Sequence, residues 1–82
     1  MSDTVFVSDA IFGYLGSKGK LTDVERRVYN FFNRDKASVI GACGSDTFAF
    51  WGERGELPKY VREYVVKFIK RTTQKPLVVF IE

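Results

Sequence analysis

The run "PKYVREYVVKFIKRT", residues 58–72, constrains the fold more than any other stretch of this chain. Val61, Tyr64, Val65, Phe68 and Ile69 recur at helical spacing, while Lys59, Arg62, Glu63, Lys67, Lys70 and Arg71 take the other side. A helix with one apolar stripe needs a surface to cover, and Pro58 suits its first turn. The run "TDVERRVYNFFNR", 22–34, repeats the pattern. Thr22 and Glu25 have the capping-box spacing. Val24, Val28, Phe31 and Phe32 form one face, and Arg26, Arg27, Asn30, Asn33 and Arg34 the other.

The surface for these helices comes from four short β-rich runs. "TVFVSD" (4–9) reads as the first strand. "ASVIGACGSDTFAFWG" reads as two more, at about 37–43 and 46–52, with a tight turn near Gly44-Ser45. "ERGE" is a polar connection, and "LVVFIE" closes the chain after Pro76. Between the first strand and first helix, Gly13, Gly16 and Gly19 argue against a long regular element. A single helical turn from about Asp9 to Leu15, capped by Ser8 and stopped at Gly16, is expected there. The resulting order, β-α-β-β-α-β, predicts an α+β fold of the split βαβ (ferredoxin-like) kind: four antiparallel strands with two helices on one face. Residues 1–82 are expected to form one compact domain.

Eight Phe, four Tyr and one Trp in 82 residues supply the bulk that so short a chain needs for a core. Apolar runs are too short to span a membrane, and no charged start leads into a hydrophobic segment. A lone cysteine, Cys43, forms no internal disulfide; it reads as a small buried strand residue in a reducing, cytoplasmic setting. The net charge of +3 tilts mildly toward acidic partners.

Catalytic chemistry finds little support. With no histidine, Ser-His-Asp and Cys-His systems and imidazole-bound zinc are excluded. The carboxylates are scattered, and the neighbouring pairs Asp23/Glu25 and Glu53/Glu56 sit where helices start, a usual place for acids. Neither an enzyme, a metal nor a cofactor is expected. "GYLGSKGKLT" has the glycines of a phosphate loop but not its spacing, since Leu21 follows Gly19-Lys20. Lys18 and Lys20 are candidates to hold an anion beside it, against the simpler reading of a solvated turn. Of two G-x-x-G tetrapeptides, the motif that clamps nucleic-acid backbone between helices in the KH family, the one at 13–16 has bulky apolar inner residues and the one at 41–44 lies between two strands.

"VFVSDA" (5–10) resembles the opening half of the shorter ribonucleoprotein motif of the RNA-recognition-motif family. "TFAFW" (47–51) contains the Phe-Ala-Phe centre of the longer one. The resemblance implies that Phe6, Phe48 and Phe50 project from the open sheet face and stack on bases. Asp46 and Thr47 replace that motif's basic residue and glycine, and Asp9-Ala10 replaces Asn-Leu.

Alternation independently places Phe48 and Phe50 on one face and Thr47, Ala49 and Trp51 on the other. Trp51 is expected on the helix side, buried with Val28, Phe31, Val65 and Phe68. Phe48 and Phe50 are expected to point away, toward residues 10–16, a second copy or a target. The expected function is that of a small non-enzymatic regulator or inhibitor, of the viral or phage-encoded type, that binds a larger protein or complex. Its candidate partner-binding residues are Phe6, Phe12, Tyr14, Phe48 and Phe50. The alternative is single-stranded nucleic-acid binding with a basic patch, Lys18 and Lys20 together with Lys59, Arg62, Lys67, Lys70 and Arg71. A homodimer through the sheet face is a further option.

Overall fold

The computed structural model describes residues 3–35, 39–53 and 57–81. Residues 37–38 of the second expected strand and most of "ERGE" lie outside them. The elements are β1 (Asp3–Phe6), α1 (Val7–Lys18), α2 (Asp23–Asp35), β2 (Val39–Cys43), β3 (Thr47–Gly52), α3 (Lys59–Thr73) and β4 (Leu77–Phe80). The fold is α+β, with one four-stranded mixed sheet in the order β1-β2-β3-β4.

Helices α2 and α3 lie within a residue of their expected bounds. The capping box forms as the spacing predicts: Thr22 N–H donates to Glu25 Oε1 (2.9 Å), and Glu25 N–H donates to Thr22 Oγ1 (3.2 Å). Helix α3 follows Pro58, whose carbonyl accepts from Val61 and Arg62. It ends at Gln74 in the left-handed region (φ 58°), where the Gln74 N–H reaches the Lys70 carbonyl.

Helix α1 is the main departure. A full helix replaces the expected single turn, despite Gly13 and Gly16. Val7, Ile11 and Leu15 form an i, i+4, i+8 stripe and are almost fully buried, so tertiary burial outweighs the helix-weakening glycines. Ser8 is no cap. It sits inside α1, buried, and its Oγ accepts the Val39 N–H (3.1 Å), tying α1 to β2. The chain leaves the helix at Gly19, whose φ of 91° suits glycine.

This helix also explains the topology. Two helical passes between β1 and β2, rather than one, return the chain so that these neighbours run antiparallel. β2 and β3 form the expected hairpin, also antiparallel. β3, α3 and β4 make a βαβ unit, so β3 and β4 pair in parallel. The split βαβ sheet with antiparallel pairing throughout and two helices is therefore corrected to a mixed sheet with three.

Residues paired across strands share a face. Val39, Gly41, Phe48 and Phe50 form the inner face and are buried beneath the helices, joined by half-buried Val78 and Phe80. A Cβ on Gly41 would run into the Phe48 ring and Val7, so glycine makes room for the ring here. Phe50 packs on Phe80 with ring centroids 5.2 Å apart. Val28, Phe32, Val61, Val65, Phe68 and Ile69 close this core from α2 and α3.

Candidate interaction surfaces

Among the described residues, no helix lies over the opposite face of the sheet. Phe6 pairs with Ile40, Ile40 with Trp51, Ala42 with Ala49 and Ala49 with Val79. Thr47 pairs with Leu77, and Ile81 continues β4 by donating its N–H to the Phe50 carbonyl (2.8 Å). Phe6 (54%), Leu77 (54%), Val79 (45%) and Ile81 (49%) are exposed, while Ile40, Ala42, Ala49 and Trp51 are half-buried. No charged side chain stands at a paired outward position among the described residues. The largest apolar patch on a soluble protein is often a functional one.

Phe48 and Phe50 require correction. They are 4% and 0% exposed, on the helix side, so they offer no surface to a partner. Trp51, expected beneath the helices, points outward instead. Alternation correctly paired the residues but the sides are exchanged. Phe6 does lie on the open face, although Val7–Ala10 belong to α1 rather than the first strand. Phe12 and Tyr14 are on α1, not over the open face: Phe12 stacks on Tyr29 (4.6 Å), and Tyr14 packs on Phe68 (5.6 Å). Of the other expected core residues, Val28, Val65 and Phe68 are buried, while Phe31 is half-buried against Phe32. The base-stacking geometry implied by the ribonucleoprotein-like motifs is absent.

The basic residues fall into two groups. Lys59, Arg62, Lys67 and Lys70 line an open cavity of about 640 Å³ with Val66, Glu63 and Phe80. The Arg62 guanidinium lies 5.3 Å from the Phe80 ring centre, and its buried Nε has no hydrogen-bond partner among the described residues. Lys18 and Arg71 instead flank Tyr14, at 5.8 and 5.3 Å from its ring centre. Lys18 is also ion-paired to buried Glu25. The Lys18 hydrogen bond and the Thr22 N–H hold the Glu25 carboxyl below its ordinary range. Lys18 thus serves a structural pair, and Gly13 and Gly16 lie within a helix, so no phosphate loop exists there. Lys20 is exposed. Burial pushes the Tyr64 phenol upward, reinforced by Glu25 and Tyr14 and opposed by Arg71.

A second cavity, of about 380 Å³, lies between α2 and α3, lined by Arg27, Asn30, Phe31, Arg34 and Tyr60. Arg27 lies over the Tyr60 ring at 5.2 Å. Neither this cavity nor the outward residues Ile40, Trp51, Leu77, Val79 and Ile81 figured among the sequence candidates. The signal for the bare face was present in "LVVFIE": every position from 77 to 81 is apolar, so β4 has no polar side. Among the described residues, no cluster of His, Cys, Asp or Glu is arranged to hold a metal, and no helix is long and apolar enough to cross a membrane. Comparison with protein families, curated proteins and solved structures gives no match.

Proposed function

We propose that this chain is a non-enzymatic interaction protein that binds a larger protein through the outward face of its sheet. The observation that carries this reading is the uncharged apolar surface running from Phe6 across Ile40 and Trp51 to Leu77, Val79 and Ile81. Lack of charge disfavours a phosphate-bearing partner on this face. Size disfavours a second copy. Strands about 4.8 Å apart and about five residues long give a flat footprint of roughly 300 Å². Two such faces pressed together fall well short of the roughly 1,200 Å² at which stable interfaces begin. A larger protein reaches the rim of the face as well, and its apolar groove or sheet matches the chemistry.

The test compares wild type with Phe6→Thr/Leu77→Thr/Val79→Thr, which keeps β propensity but removes the apolar surface. Wild type should retain a nuclease-resistant protein partner that binds directly when purified, and the variant should fold normally without binding it. Sedimentation should give a monomer. Equal partner binding by a folded variant, or a wild-type dimer that the triple substitution dissociates, would overturn the reading.

A further inference from the structure

From the two cavities flanking α3, we infer a single-stranded nucleic-acid site that is independent of the open sheet face. Lys59, Arg62 and Lys70, at i, i+3 and i+11, recur on one side of α3, and Lys67 joins them at the same cavity. From Lys59 to Lys70 the helix rises roughly 16 Å, so the cations form a line rather than a point. Among the described residues, Glu63 is the one acid lining the cavity. Such a line matches a polyanion in which charge repeats along a backbone.

The second cavity decides which polyanion. Lys59 opens onto the first cavity, and its neighbour Tyr60 onto the second. There an aromatic-backed guanidinium plane, Arg27 over Tyr60, stands beside the Asn30 amide and the Arg34 charge. Guanidinium planes and aromatic rings stack on unpaired bases, and an amide presents both a donor and an acceptor to a base edge. An acidic peptide would use the lysine line, but its carboxylates pair edge-on with a guanidinium rather than stack on its face. The nucleotide backbone therefore follows α3, with a base entering between α2 and α3. Phe80 does not stack on a base, because Phe50 packs against it and Arg62 lies over it. This moves nucleic-acid recognition from the sheet, where the ribonucleoprotein-like motifs implied it, to the helical side.

The experiment titrates a fluorescent oligo-uridine with the whole chain at several salt concentrations. Four neutralised phosphates predict a slope of log K against log salt of about −3, from roughly −0.7 per phosphate on single strands. Lys67→Gln/Lys70→Gln should reduce that slope by about 1.4 by the same relation. Arg27→Gln/Asn30→Ala should weaken binding at every salt concentration, while Lys75→Gln should change it less than about twofold at moderate salt, where one peripheral charge matters little. Circular dichroism shows whether each variant is folded. Absence of binding at low salt would overturn the inference. So would equal competition by poly-glutamate of matched charge, which would assign the line to an acidic protein segment. A folded Lys67/Lys70 variant with the wild-type slope would contradict it equally.

Discussion

The two faces of the sheet are built from interleaved residues of the same strands, yet they have opposite fates. On β3, Phe48 and Phe50 disappear beneath the helices while their neighbour Trp51 faces outward. Neither face owes this to polarity, for both are apolar. What separates them is the helix layer: the Val7-Ile11-Leu15 stripe of α1 and the stripe of α3 occupy one side. Hydrophobicity qualifies a surface for burial, and connectivity decides whether anything arrives to bury it.

The sharpest way to break this comparison is to truncate one phenylalanine on each face. Phe50→Ala should cost about 3–5 kcal/mol, the range for a fully enclosed aromatic, enough to unfold much of so small a domain. Phe6→Ala should cost about 1 kcal/mol or less, since surface changes are mild. Urea midpoints of the two variants give the answer; similar losses would erase the distinction between faces.

The helix layer can be loosened selectively through Glu25. Its carboxyl titrates lower in the folded protein than in the unfolded chain. Its contribution is therefore complete above the ordinary carboxylate range and disappears as pH falls through the depressed folded value. Glu25→Gln keeps an acceptor for the Thr22 N–H but loses the ion pair with Lys18, and should lower stability at neutral pH by about 0.5–1 kcal/mol. Melting temperatures of that variant should fall less steeply with acid than those of wild type. Parallel acid limbs would mean that the Lys18–Glu25–Thr22 arrangement does not couple to folding.

A smaller change should tighten the same layer. Gly13 lies within α1, and a methyl group placed there meets nothing within 4 Å. Gly13→Ala should stabilise the protein by about 0.5–1 kcal/mol through helix propensity. A loss of stability in thermal melts would show that α1 depends on backbone freedom at this position.

These effects mark the boundary of what the sequence makes legible. The helices at 23–35 and 59–73 carry their own signals, in the spacing of Val28, Val61 and Val65 and in the Thr22–Glu25 pair. Strand parity is equally local. Helix α1 was hidden because Gly13 and Gly16 weaken an intrinsic preference that burial of Ile11 and Leu15 overrides. Its omission removes one helical pass, and with it the correct sheet order and the side on which the helices lie. Alternation is symmetric, so it states that Phe48 and Phe50 go together without stating where. The cavity beside Tyr60 lies where α2 meets α3, and the one beside Lys59 where α3 meets β4, contacts that no local spacing encodes.

The central claim is that the outward face is bare in the free protein, and Trp51, the single tryptophan of the chain, reports on it directly. Its fluorescence should be measured against increasing acrylamide in the native protein at low concentration. The structure predicts substantial quenching before any unfolding, together with lost quenching when a protein partner occupies the face. A Trp51 that stays shielded in the native monomer and becomes accessible only in denaturant would contradict the account.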